Sequence, residues 1–298
     1  MKIRIGLGLG TRTLTNEQGS FGSLVDVTER LSFDSLWLSE RITGEAPDPV
    51  VGMAFAAGRT TRIKFGMSVM VLPGRNPVLV AKELATLDRL SGGRLLPAFG
   101  LGVVDPREQQ AFGVQRGERA PIFDEALPLL RRLWAEEGVD HDGEWFHLEG
   151  VTVRPKPVQQ PMDVWLGGRA PSELRRVGRL GDGWLPSFCD ANDVRDGIPV
   201  IEAAADEAGR AIDPEHYGAL VAYADEVPDE LVAFIAKRRP DLTDPHDLVP
   251  KGLTGLRQRL EEMVEAGASK FVVLPLVEPA DWTEELEAIA TEVLPLQT

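Results

Sequence analysis

The stretch IKFGMSVMVLPGRNPVLVAKELATLDRLSGGRLLPAFGLG, Ile63 to Gly102, contains two strand-like runs joined by one helical segment. Ile63–Leu72 is nearly continuous Ile, Phe, Gly, Met, Val and Leu, as expected for a strand buried on both faces of a parallel sheet. Pro73-Gly74 breaks that run. Asn76-Pro77 then supplies a helix N-cap followed by a first-turn proline. Val80, Leu84 and Leu87 fall on one helical face before Ser91-Gly92-Gly93 stops the helix. Leu95–Gly102 is the next apolar run, so the stretch reads as one strand–helix–strand unit. The polar Ser68 sits inside the apolar run of the first strand, where a small hydroxyl gains little from packing.

Working outward, the same alternation recurs. Strand candidates are Ile3–Leu9, Ser35–Leu38, Val164–Gly167, Gly183–Pro186, Ala219–Ala224 and Phe271–Leu276, which makes eight with the two above. Asp48-Pro49 repeats the cap-and-proline pair, and Leu253, Leu256, Leu260, Met263 and Val264 form a strong helical stripe. Eight strands, each followed by a helix, in 298 residues predict a single α/β domain spanning 1–298, a (β/α)8 TIM barrel. A doubly wound sheet is the main alternative, because local pattern does not reveal closure. Pro128 sits inside the pattern Phe123, Ala126, Leu127, Leu130, Leu133 and predicts a kink or a late start for that helix. Two stretches interrupt the alternation. Residues 139–161, with Asp142-Gly143 and Glu149-Gly150 turns, read as an inserted hairpin, and residues 225–250 as an excursion covering the barrel mouth. The substrate is expected beneath both.

Composition excludes several classes. The net charge of −15 argues against a nucleic-acid footprint, and no apolar run is long enough for a membrane span. One cysteine, Cys189, rules out an internal disulfide and, with no room for a signal peptide before the first strand, fits a cytoplasmic protein. The four histidines, His141, His147, His216 and His246, have no metal-ligand spacing, so no metal is expected. Cys189 has no visible partner for nucleophilic work.

In a parallel barrel, chemistry gathers at the C-terminal ends of the strands. The polar residues there are Thr11 and Arg12, Ser39, Glu40 and Arg41, Ser68, Asp105, Arg169, Ser187, Asp225 and Glu278. Gly167-Gly168-Arg169, followed by a helix start at Pro171-Ser172, suits a phosphate through backbone N–H groups and the helix dipole; a plain turn with a solvated arginine is the rival reading. Glu40 beside Arg41 is either a rim ion pair or a ligand contact. The run GLGLG (Gly6–Gly10) lies within a strand and lacks the dinucleotide spacing, so its glycines clear space for a bound ring or a packed neighbour. With no nucleophile set, metal site or carboxylate pair, the reactivity points to a cofactor, and a phosphate-friendly turn suits a flavin type.

The motifs FDSLWLSE (33–40), NPVLVAKELATLDRLSGGRLLPAFGLG (76–102), FHLEGVTVRPKPVQQPMDVWLGG (146–168), GRLGDGWLPS (178–187) and MVEAGASKFVVLP (263–275) resemble the luciferase-like monooxygenase family. The nearest part is its branch using the deazaflavin F420. The resemblance implies a barrel holding a flavin or deazaflavin at its mouth, with hydride passing between substrate and ring. It implies a non-prolyl cis bond at Ser68-Val69 behind the ring, phosphate contacts at Gly167 and Gly168, and a ring-edge position at Glu40. The expected cofactor-binding set is Ser39, Glu40, Ser68, Val69, Gly102, Gly167, Gly168 and Arg169, with Glu40 and Arg41 as catalytic candidates. Two departures count against the sugar-phosphate dehydrogenase subgroup: Arg41 stands where it has a histidine, and Val103 where it has a glutamate. An FMN-dependent monooxygenase and a non-catalytic flavin-binding barrel are the alternatives. Family members often pair, and the apolar face after Asp48 fits a homodimer.

Overall fold

The computed structural model describes residues 1–11 and 20–298; Arg12 lies outside the described residues. Strands β1 (Arg4–Gly8) and β2 (Ser35–Leu38) are unbroken, whereas the third position divides into β3 (Lys64–Met67) and β4 (Met70–Val71). The fourth divides into β5 (Leu95–Leu96) and β6 (Ala98–Gly100), on either side of Pro97, which has no N–H for the ladder. After a hairpin of β7 (Val139–Asp142) and β8 (His147–Val151) come β9 (Trp165–Leu166), β10 (Gly183–Trp184), β11 (Gly218–Tyr223) and β12 (Lys270–Pro275). One ladder runs β11-β12-β1-β2-β3-β5 and a second β10-β9-β6-β4. The divided strands stitch the ladders together, since β3 pairs with β5 and β4 with β6. The pairs Trp184–Tyr217 and Ser187–Leu220 join β10 to β11, with Leu220 N–H donating to Pro186 O at 2.8 Å. The ring of eight parallel strand positions therefore closes. It is a barrel and not an open doubly wound sheet.

The helices follow the local signals. α1 (Ser20–Arg30) and α2 (Pro49–Arg59) flank β2, and Asp48 caps α2 by accepting Val51 N–H at 3.0 Å. Asn76 caps α3 (Pro77–Ser91), which ends at Gly92 in the left-handed region (φ 71°). α4 (Pro106–Phe112) and α5 (Arg119–Ala135) follow strand four. α5 neither starts late nor stops at Pro128. The proline sacrifices one helical hydrogen bond and costs about 3 kcal/mol, but the helix buries Phe123, Ala126, Leu127, Leu130 and Leu133. Each large buried side chain returns ~1.5–3 kcal/mol, so packing wins. α6 (Pro171–Leu180), α7 (Ala191–Glu207), α8 (Asp229–Arg238), α9 (Gly252–Glu265) and α10 (Trp282–Glu292) complete the chain. No described helix is long and apolar enough to cross a membrane.

Trp37, fully buried, fills the barrel interior and donates its Nε1–H to Ser35 Oγ at 2.8 Å. A Cβ on Gly66 would lie 2.3 Å from this indole, and one on Gly6 would lie 2.4 Å from Ser35 Oγ. Of the two uses open to the GLGLG glycines, the one made of Gly6 is a packed neighbour. At the other end of the strands, Lys270 (5% exposed) donates to Asp34 at 2.7 Å. Burial works to raise the Asp34 carboxyl, but Lys270 and Lys64 outweigh it and hold it below the usual range.

The hairpin forms at the Asp142-Gly143 turn, whereas Glu149-Gly150, expected as a second turn, lies within β8 because it pairs back against β7; the hairpin packs on α5 and not over the mouth. Glu125 of α5 accepts Phe146 N–H (2.9 Å) and Trp145 N–H (3.1 Å), pinning the hairpin to the outer surface of that helix. The returning chain is held by buried Asp88, in the last turn of α3, which accepts Val158 N–H at 2.6 Å. Helices run opposite to strands, so this contact is at the closed end of the barrel. The excursion does reach the mouth. Ala224, Ile235, Leu248 and Val249 form a small apolar cluster of their own, against Phe188 and Leu276 at the ends of strands six and eight.

Candidate functional site

At the mouth, strand three is interrupted at Ser68-Val69, a cis peptide at the pair the resemblance implies. Ser68 N–H still reaches back to Leu38 O of β2 at 2.8 Å. Ser39 Oγ donates to Ser68 O at 3.1 Å and lies 3.2 Å from Ser68 Oγ, so Ser39 and Ser68 meet directly. Val69 is only partly buried and lies near two glycines, Gly100 on strand four and Gly167 just past strand five. A Cβ on Gly100 would approach Val69 Cγ2 to 2.5 Å, and one on Gly167 would lie 3.6 Å from Val69 Cγ1. Val69, Gly100 and Gly167 thus form an apolar floor to which strands four and five add no side chain at those two positions. Gly102 faces Val71 and not Val69: it is in the left-handed region (φ 79°), a Cβ on it would lie 3.1 Å from Val71 Cγ1, and its carbonyl accepts Arg119 Nη1–H at 2.8 Å.

Glu40 and Arg41 go in different directions. The Glu40 side chain is 4% exposed; it accepts Val71 N–H at 2.7 Å on Oε2 and the Arg75 guanidinium on Oε1. Burial pushes this carboxyl above its ordinary value, with Asp48 adding to the rise and Val71 and Arg75 only partly opposing it. Arg41 turns away to α4, where its Nε donates to Glu108 Oε1 at 3.1 Å. Buried Glu108 also accepts Thr43 Oγ1–H at 3.1 Å. Burial tends to raise the Glu108 carboxyl, but the donors from Ile42, Thr43 and Arg41 outweigh it and hold it low. Sequence reasoning missed Arg75 and Glu108. Both are distant in sequence from strand two, and the Arg75 turn was legible only as a chain reversal.

The glycine turn after β9 forms as read. Gly168 has φ 99°, and its carbonyl accepts Trp184 Nε1–H at 2.8 Å. The N–H groups of Arg169 and Ala170 both point to one anion position, taken here by Glu173 Oε2 at 2.9 Å from each. Arg169 Nη1 lies 3.1 Å from Asp193, and Nη2 lies 3.5 Å from Asp241. Asp193 and Asp241 also hold Arg239, which is 3% exposed and donates to Phe188 O at 2.7 Å. The Arg239 hydrogen bonds take the Asp241 carboxyl down to about 2. The turn therefore has the donor chemistry for a phosphate, but its own carboxylates occupy those donors. A ligand phosphate there has to displace Glu173.

Other candidates lie apart. Asp225 and Glu278 line a cavity of about 740 Å³ together with Tyr223 and Glu285. Tyr223 OH donates to Glu285 of α10 at 2.5 Å, and the cavity is lined by the chain just past strands seven and eight, without Val69. Ser187 pairs with Leu220 in closing the barrel. Cys189 is buried, and burial, with Asp193 and Asp190 adding to it, pushes its thiol up to about 12. It is not a nucleophile near neutral pH. His141 and His147 pair with Glu125 and Asp142, and among the described residues no cluster of three potential ligands suits a metal ion.

The luciferase-like monooxygenase family model matches residues 4–265. An F420-dependent glucose-6-phosphate dehydrogenase from Kineococcus radiotolerans is 30% identical over 209 residues, 65% of this chain and 61% of that protein. A protein of the same name from Microbacterium testaceum is 26% identical over 93% of this chain and 84% of its own length. Against the first three such relatives, the chain spans 61%, 54% and 62% of their length. Among solved structures, an F420-dependent secondary alcohol dehydrogenase in complex with an F420-acetone adduct superposes with a TM-score of 0.82. That match has 20% identity and covers 100% of both chains, so it speaks for the fold alone.

Proposed function

The chain belongs to the luciferase-like monooxygenase family, and from that premise we propose that it is an F420-dependent oxidoreductase acting on a small organic substrate. The observation that carries the reading is the partly buried Val69 at the barrel mouth, beside which Gly100 and Gly167 add no side chain. The named relatives at 30% identity support a deazaflavin rather than another flat cofactor. The residues that would hold it are Val69 beneath the ring, Ser39 and Ser68 at the ring edge, and Gly167-Gly168-Arg169 at the phosphate after Glu173 swings aside. Bound F420 supplies a ring carbon that accepts or donates hydride. The chain's own contribution is orientation and the exclusion of water by the excursion over the mouth, which hydride transfer needs more than proton handling.

A sugar phosphate does not suit this mouth. Arg41 is permanently charged and tied to Glu108, and Val103 has nothing to titrate, so neither departure supplies a proton-transfer group. The protein pairs through α2, where Val51 (67% exposed) and Phe55 (49% exposed) present apolar surface. Titrating the purified protein with F420 and with FMN, following tryptophan fluorescence, tests the cofactor assignment. Micromolar F420 binding is expected, and FMN binding without F420 binding overturns it. Size-exclusion chromatography with light scattering tests the pairing: Phe55→Asp yields monomer, and a wild-type protein that is already monomeric refutes it.

A further inference from the structure

Val71 follows the Ser68-Val69 bulge, and strand two can no longer pair with it because β2 ends at Leu38. Leu72 N–H goes to Gly100 O on strand four at 3.2 Å. Backbone groups of successive strand residues point to opposite sides, so those of Val71 face strand two. Side chains complete the ladder there. Glu40 Oε2 accepts Val71 N–H at 2.7 Å, Arg75 Nε donates to Val71 O at 2.9 Å, and Arg75 Nη2 closes the circuit to Glu40 Oε1. The Arg75 guanidinium also lies 5.7 Å from the Phe112 ring centroid, which fixes it from its other side.

We propose that Glu40 and Arg75 form a clamp on Val71 that sets the height of the bulge in the barrel mouth, and that both are positioning residues for the cofactor ring. The proposal rests on the F420 reading above. It reassigns Glu40, since a carboxylate with 4% exposure whose two oxygens are engaged by Val71 N–H and the Arg75 guanidinium is turned to its own chain and not to a substrate. It also gives Arg75 a role that its place in a turn conceals. The clamp works through the backbone, so removing either arm releases the same segment. Lysine at 75 would keep the charge facing Glu40 but loses the planar fork that reaches two acceptors at once.

The test measures F420 affinity by tryptophan fluorescence for wild type, Arg75→Met, Arg75→Lys, Glu40→Gln and the Glu40→Gln/Arg75→Met double variant. Residues in one hydrogen-bonded network do not act additively, so Arg75→Met should weaken F420 by about tenfold and the double variant no further. Arg75→Lys should recover part of the loss. In parallel, hydrogen exchange of peptides containing Val71 should accelerate in Arg75→Met while the remaining barrel strands stay protected. Independent, additive losses would overturn the clamp, as would wild-type affinity in Arg75→Met. Unchanged exchange at Val71 overturns it whatever the cofactor does. If wild type binds no F420 while exchange at Val71 still responds to Arg75→Met, the cofactor reading fails, and with it the positioning role, but the clamp geometry stands.

Discussion

Gly167→Ala separates a ring seat from a mere gap between strands. Gly167 is not in the left-handed region, and an added Cβ would meet Leu185 O at 3.4 Å and Val69 Cγ1 at 3.6 Å, both ordinary contacts. The folded protein therefore loses little, within about 0.5 kcal/mol, and the stiffer unfolded chain favours folding slightly. The same methyl stands beside Val69 on the floor where the ring is proposed to lie. Overpacking of that kind costs about 1–3 kcal/mol, which predicts F420 binding weakened by about 5- to 150-fold. Gly100→Ala is the contrast: its Cβ falls 2.5 Å from Val69 Cγ2, so Val69 must move and both stability and binding suffer. The assay pairs thermal unfolding with F420 titration by tryptophan fluorescence. Gly167→Ala with an unchanged midpoint and wild-type F420 affinity would refute the seat.

Asp34→Asn should destabilise by about 3–5 kcal/mol, because it leaves Lys270 buried without its counter-charge. Lys270→Met should cost less, since Asp34 keeps Lys64 and Arg4, each 3.7 Å away. The pH dependence has a definite sign. The folded Asp34 carboxyl titrates below its unfolded value of about 3.9, so its stabilisation is full above that pH and is lost as pH falls through the folded value. Thermal melts of wild type and Asp34→Asn should keep a constant separation from neutral pH to about 4 and converge below it; convergence already at pH 6 contradicts the assignment. Cys189, with its thiol raised to about 12, should resist iodoacetamide at pH 8 in the native protein and react promptly in denaturant. Fast native labelling would show that the thiol is reachable.

Much of the barrel is local in origin, which is why it was legible. Asp48 and Asn76 cap the helices they precede because a side-chain oxygen two or three residues away satisfies free N–H groups. Unbroken apolar runs mark strands buried on both faces. Pro128 shows the limit of local reading: its cost is local, whereas the burial that overrides it comes from the barrel beneath α5. The hairpin was legible as a hairpin, but its place on the outer surface of α5 was not, because Glu125, which anchors it, and Asp88, which holds the chain returning from it, belong to two other helices.

At the mouth, the sequence determined which residues arrive, since each lies just past a strand and parallel strands deliver their C-terminal ends to one rim. What those residues touch was decided by tertiary structure. Glu40 and Arg41 are neighbours in the chain, yet one is sealed against Val71 and Arg75 and the other is held by Glu108. Arg169 stands where a phosphate reading puts it, but it shares its charge with Asp193 and Asp241 from α7 and the excursion. Charge–charge contacts and close packing act through space over a few ångströms, between segments tens of residues apart, and no spacing rule encodes them. Only the closed ring of strands brings Val69, Gly100 and Gly167 together into one floor.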